Sequence, residues 1–278
     1  VVETLNETVN LVEIEAFQLR DFLKGLDEAA WSQDSSCEGW NVADVAAHLS
    51  AGANSWAASI GRAVNGDSGP PAGQTPLAAG ERGSEVINQS AISYRQEAGA
   101  RLMENFSAGY DVLRQSLAQL KEKDWDKPCY HRRGPMPIRD FVALRVQELA
   151  VHGWDIRWGI DKSAELGEES LGLLAGRVPR WLRTAFMPGL DLPVPVRYRF
   201  DIAGPVAINQ DVMVTGREFQ IETQAKGEAD TVFGCGTGNY ILLIYGRLDV
   251  DQASRDGRLN ITGSMEQAVN FNAWFKGF

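Results

Sequence analysis

Cysteine is scarce in this sequence, and the three that occur, Cys37, Cys129 and Cys235, are odd in number and far apart. That pattern excludes a disulfide framework and a CxxC zinc or redox pair. It fits a reducing cytosol in which all three are buried or bystander thiols. Cys37, just ahead of a helix that carries a histidine, is the one placed to lie near a functional site. Apolar runs of membrane-spanning length and a secretory leader are missing too, so the expectation is a soluble, cytoplasmic protein. Positive charge is in deficit, with 27 Lys and Arg against 37 Asp and Glu for a net charge of −10. An acidic balance of this size argues against nucleic acid or an anionic membrane as the main partner, while leaving room for a locally basic pocket. There is no internal repeat and no low-complexity tract. Histidine is as rare as cysteine: His48, His131 and His152.

What is there is ordinary globular composition, 44% hydrophobic and 23% charged over 278 residues. This suffices for one large domain or two ordinary ones. The first two-thirds carries helical periodicity. Val9, Val12, Phe17, Leu19 and Leu23 predict a helix over 5–26. A second helix starts at a capping box, with Asn41 as N-cap, Asp44 at N3, and Trp40 and Val45 as a hydrophobic staple; it runs to about Val64. Residues 65–83 are rich in Gly and Pro and read as a loop. A third helix covers 84–121, bent near Gly99 or Gly109. A fourth has Pro137 at its first position and continues to about Trp158. A further helix over 168–186 precedes a Pro-rich stretch that sets the expected boundary, giving domains 1–190 and 191–278.

Beyond Val194 the period changes. Val196, Tyr198, Phe200 and Ile202 alternate with Arg197, Arg199 and Asp201, as in a strand with one buried face. Residues 219–223, 231–233 and 259–261 are further strand candidates, and 239–246 reads as helical. Ser264 and Gln267 form a capping box for a closing helix. The second domain is therefore small and α+β.

The fourth helix carries the most informative residues. Glu148 and His152 are four apart and share one side of it. They fall on or beside a stripe of Ile138, Phe141, Val142, Leu149 and Ile156, where an unpaired ion costs several kcal/mol. Either Arg145 pairs with Glu148 at i,i+3 and His152 is an ordinary core histidine, or the two hold a metal. His48 tips the balance, because it sits in the apolar stripe of the second helix with Val45, Leu49, Gly52, Trp56 and Ile60. Two helices that each aim an imidazole inward suit a shared cation, and His₂Glu is a zinc set that leaves a coordination position open for catalysis. Asp44, one turn before His48, could orient it, although capping is its simpler role. His131, in Tyr130-His131-Arg132-Arg133, belongs to a solvated basic loop or recruits anions. The glycine-rich run Gly234–Gly238 lacks the Lys of a phosphate loop and is turn chemistry.

The stretch Cys37-Glu38-Gly39-Trp40-Asn41-Val42-Ala43-Asp44-Val45-Ala46-Ala47-His48-Leu49, with Arg145-x-x-Glu148-x-x-x-His152-Gly153-Trp154-Asp155, resembles the mycothiol-dependent maleylpyruvate isomerase family. A weaker likeness continues through Gly257–Gly263 and the closing aromatic helix. The resemblance covers nearly the whole chain. It implies a mainly α, DinB-like four-helix bundle followed by a small α+β sterol-carrier-protein-like domain. It places the zinc ligands on His48, Glu148 and His152, and implies a low-molecular-weight thiol such as mycothiol as cofactor and a small anionic electrophile as substrate. Arg217, in the expected strand turn Thr215–Arg217, is the candidate catalytic basic contact. Arg95 and Arg247 are candidates for thiol binding.

The leading expectation is a zinc-dependent isomerase of the maleylpyruvate type. An S-transferase using mycothiol, bacillithiol or ergothioneine is the close alternative. A non-catalytic hydrophobe-binding protein would use the aromatic end Phe271, Trp274, Phe275 and Phe278, residues that otherwise close a core. A zinc hydrolase would need a separate base, for which only Asp44 and Asp155 are candidates. The oligomeric expectation is a monomer or dimer.

Overall fold

A computed structural model describes residues 4–71, 74–77, 83–223 and 227–276. Gly73 and Gly80 of the Gly/Pro stretch, and Phe278 of the aromatic end, lie outside them. The chain divides into two compact units, Val2–Gly167 and Glu168–Phe278. Each has its own core.

The first unit is built from α1 (Leu5–Lys24), α2 (Val42–Val64), α3 (Ser84–Ala98), α4 (Leu102–Ala118) and α5 (Ile138–Ile160), with a small β1 (Pro128–Cys129) and β2 (Met136–Pro137) ribbon ahead of α5. α1, α2, α4 and α5 pack as a four-helix bundle and α3 lies on α2. The expected capping box is formed: Asn41 Oδ1 accepts from Asp44 N at 2.9 Å, and Asp44 Oδ2 from Asn41 N at 3.1 Å. The long third helix is broken at Gly99, whose φ of +51° is open to glycine and strained for other residues. Pro137 is one position earlier than expected. It is the N-cap of α5, with ψ of 146°, because its backbone still belongs to the β1–β2 ribbon.

The second unit opens with α6 (Leu171–Ala185), the helix expected to close the first domain. Its Trp181 stacks on Tyr245 with ring centroids 4.3 Å apart and donates to the Ile244 carbonyl at 3.0 Å. The division therefore falls between Gly167 and Glu168 and not near residue 190. The sheet combines β3 (Val196–Ala203), β4 (Ile208–Val214), β5 (Phe219–Glu222), β6 (Thr231–Gly236) and β7 (Asn260–Gly263) in the order β5-β4-β3-β6-β7. Only β3 and β6 run parallel. α7 (Thr237–Ile244) and α9 (Met265–Trp274) cover it, and α8 (Val250–Arg255) packs on α9. Val196, Tyr198, Phe200 and Ile202 are buried as the alternation requires. Tyr198, Phe200, Phe233 and Phe271 make one cluster with ring centroids about 5–6 Å apart, a separation typical of favourable aromatic pairs. These aromatics close the unit's own core.

Candidate metal centre

α2 and α5 pack against each other, and the second turn of α2 faces the middle of α5. His48 Nε2 lies 3.0 Å from Glu148 Oε2. His152 Nε2 lies 4.0 Å from the same oxygen. The three donor atoms sit within 4.8 Å of one another, and the imidazole centroids are 5.1 Å apart. Two donors each about 2.0 Å from a tetrahedral ion are about 3.3 Å apart, so these separations bracket what zinc needs. The His48, Glu148 and His152 side chains keep 21%, 23% and 16% of their exposure, enough for a ligand to reach them. The chemistry of the set, two imidazoles and a carboxylate, fits a zinc ion with a position to spare.

Electrostatics separate the three groups. Burial alone would raise the Glu148 carboxyl, but the His48 hydrogen bond, with the charges of His48, His152 and Arg145, holds it well below the carboxylate range. Burial lowers His48. Burial also works against a charged His152, yet Cys37 and Asp155 outweigh it and push that imidazole up to about 10.

Arg145 has a different role from the alternative pairing with Glu148. Its side chain is fully buried one turn below the site, where Nη2 donates to the Leu49 carbonyl at 2.6 Å and to the Tyr110 hydroxyl. The guanidinium also lies over the Trp56 ring at 5.0 Å. Gly52 makes the space for it, since a Cβ there would stand 2.7 Å from Arg145 Nη1. Among the described residues no ion pair joins Arg145 to Glu148. The carboxylate is left to the histidines.

Three neighbours surround the cluster: Cys37, which its place ahead of α2 put near a functional site, Asp155, considered only as a base, and Trp40, considered only as a staple. Cys37 Sγ is 3.5 Å from His152 Nδ1 and donates to Asp155 Oδ2 at 2.9 Å. Asp155, with no exposure, also lies 2.9 Å from His152 Nδ1. Its i+3 spacing from His152 was the available signal. Trp40 sits 5.3 Å from the His48 ring and 6.3 Å from the His152 ring, and its indole N–H donates to Asn88 of α3. Its staple position drew attention away from that role.

The remaining candidates have the following partners. Asp44 is occupied by the α2 cap and by Arg95, whose Nε is 2.9 Å from Asp44 Oδ1. Arg217 and Arg247 belong to the second unit. Arg217 is 70% exposed and 2.8 Å from Asp191, and Arg247 donates to the Tyr245 carbonyl at 3.2 Å. His131 is in the turn between β1 and β2, where Nδ1 accepts from Arg133 N. Among the described residues no helix is long and apolar enough to cross a membrane.

Comparison with known proteins agrees with this architecture. The chain is similar over 94% of its length to a crystal structure of the mycothiol-dependent maleylpyruvate isomerase, covering 93% of that chain with a TM-score of 0.65 at 15% identity. A structure of a histidine-to-alanine mutant of that isomerase matches with a TM-score of 0.64, also at 15% identity and over 94% and 93% of the two chains. At this identity the likeness speaks for the fold. No curated protein matches the sequence. Residues 195–276 match the SCP-2 sterol transfer family. Residues 12–157, more than half of the chain, match the mycothiol maleylpyruvate isomerase N-terminal domain, and the protein belongs to that family.

Proposed function

We propose that this protein is a zinc-dependent enzyme that uses mycothiol, or a closely similar small thiol, to isomerise a small anionic electrophile of the maleylpyruvate type. One observation carries the reading: imidazole Nε2 atoms from two different helices face a single carboxylate oxygen, at 3.0 and 4.0 Å. Family membership and the fold shared with a mycothiol-dependent isomerase support the choice of thiol and reaction. When bound, zinc favours the thiolate form of a small thiol, whose reversible addition makes an activated double bond temporarily single.

The chain's own residues supply the rest. Glu148, held ionised, gives the site its one anionic ligand. Burial disfavours the charged form of His48, so that its imidazole can give a lone pair to the metal. Trp40 walls the site beside both imidazoles. Arg95, paired with Asp44 in the first turn of α2, is the proposed contact for the thiol's polar groups. Arg217 and Arg247 are proposed on sequence grounds as further basic contacts, each tested by substitution with alanine and a split of kcat from KM.

The purified full chain should carry one zinc ion, lost in His48→Ala and His152→Ala, and should turn over maleylpyruvate with mycothiol. Turnover that survives both substitutions would rule the reading out. Activity with bacillithiol, glutathione or ergothioneine in place of mycothiol would reassign the thiol. Transfer of sulfur to an electrophile without isomerisation would make the enzyme an S-transferase.

A further inference from the structure

We infer that Asp155 and Cys37 are positioning residues of the metal centre, holding the His152 imidazole with Nδ1 turned away from the metal and Nε2 turned towards Glu148 and His48. The inference rests on the reading of His48, Glu148 and His152 as one metal site. Its geometry is a closed triangle of His152 Nδ1, Asp155 Oδ2 and Cys37 Sγ, with sides of 2.9, 2.9 and 3.5 Å. Asp155 is completely buried, so its carboxylate depends on donors from within the protein. An imidazole that gives its Nδ1–H to a carboxylate is left with its lone pair on Nε2, the atom that ligates. Spacing makes this local: residues three apart on α5 lie on the same side, one turn on.

The second half of the triangle comes from the segment ahead of α2, which is docked on α5. Ser36 N donates to the Asp155 carbonyl at 3.0 Å. Gly159 lets the two backbones meet, since a Cβ there would stand 2.5 Å from the Asp34 carbonyl oxygen. The chain then turns back through Gly39, at φ +77°, and delivers Trp40 to the two imidazoles. One docking thus orients a ligand and places the wall of the site.

Cys37, His152 and Asp155 also lie close enough to be a metal set in their own right. Their lengths favour hydrogen bonding. The Nδ1–Oδ2 and Sγ–Oδ2 separations, both 2.9 Å, are hydrogen-bond lengths, with Oδ2 the shared acceptor of the ring N–H and the thiol.

The test measures the zinc dissociation constant of the full chain against a chromophoric chelator, for the unsubstituted protein and for Asp155→Ala, Asp155→Asn and Cys37→Ser. Nitrogen-15 spectra of the histidine side chains are recorded in parallel, and only three histidines need assigning. Asp155→Ala is expected to weaken zinc about 10- to 100-fold, the usual effect of removing such a partner. Asp155→Asn, which keeps an acceptor of the same shape, should fall between it and the parent, and Cys37→Ser should weaken least. The zinc-loaded parent should show the proton on His152 Nδ1. Should Asp155→Ala not fold, the graded loss in Asp155→Asn decides. Zinc affinity within twofold of the parent in all variants, with an unchanged His152 spectrum, would overturn the positioning role alone. An unsubstituted chain that binds no zinc would overturn the metal reading and this role together, while its spectra would still show the His152–Asp155 hydrogen bond.

Discussion

Glu148 draws its meaning from what surrounds it. A half-buried carboxylate with two imidazoles and a nearby guanidinium stays ionised, and it pairs with the histidines because Arg145 is engaged below. His152 is the group whose charge can be followed. Its pKa rises from the model-compound 6.5 to about 10, so without metal it contributes stability that is complete below pH 6.5 and is lost as pH climbs through about 10. Urea denaturation of the metal-free chain should show that loss between pH 6.5 and 10, and His152→Gln should lack that share of it. Equal pH profiles for the two proteins would refute the account of His152. Gly52→Ala is the second residue-scale prediction. Its methyl group meets the Arg145 guanidinium in a packed core, and crowding of this sort costs about 1–3 kcal/mol, readable in the same titration. His48, Glu148 and His152 were legible because each breaks an apolar stripe. Asp155 was weighed only as a base for hydrolysis, and Cys37 was placed near the site by its position ahead of α2 but without a partner, because a hydrogen bond between segments more than a hundred residues apart leaves no periodic trace.

Elements were legible where local rules act alone. The Asn41–Asp44 box marked the start of α2, and the alternation from Val196 marked β3, since caps and one buried sheet face are written in neighbouring residues. β4 was not foreseen. Its Asp211 is fully buried, directly across from Arg199, and both Arg197 and Arg199 bind it at 2.7–3.0 Å, so the strand does not alternate cleanly. The break at Gly99 was one of two anticipated positions, and its positive φ is the reason it falls there. Asn41→Ala removes a cap that sets the start of the His48 helix and should cost about 1 kcal/mol by chemical denaturation. Gly159→Ala should cost more, because its methyl group meets backbone and not a side chain. It should weaken zinc binding as well, by displacing the Cys37–Trp40 segment. A variant that loses stability with zinc affinity intact would separate that segment from the site.

Across the whole molecule, two cores invite two different responses to metal. The helical unit contains the candidate ligands, and the α+β unit is closed by its own aromatics. The two-domain outline was legible from the change of period. The division after Gly167 was not, because the tie that places α6 is the stack of Trp181 on Tyr245, contributed by distant parts of the chain. Ligand at a hundredfold its dissociation constant stabilises a folded state by about 2.7 kcal/mol. Hydrogen exchange should place that gain chiefly in α2 and α5, with less in β3 and β6.

The most direct measurement is zinc-edge X-ray absorption on the zinc-loaded chain, with and without mycothiol. Without thiol, the account predicts two imidazole nitrogens and oxygen around the ion and no sulfur; with mycothiol, one sulfur enters at about 2.3 Å. A sulfur shell already present without thiol and abolished by Cys37→Ser would contradict it, because the ion would then sit with Cys37, Asp155 and His152.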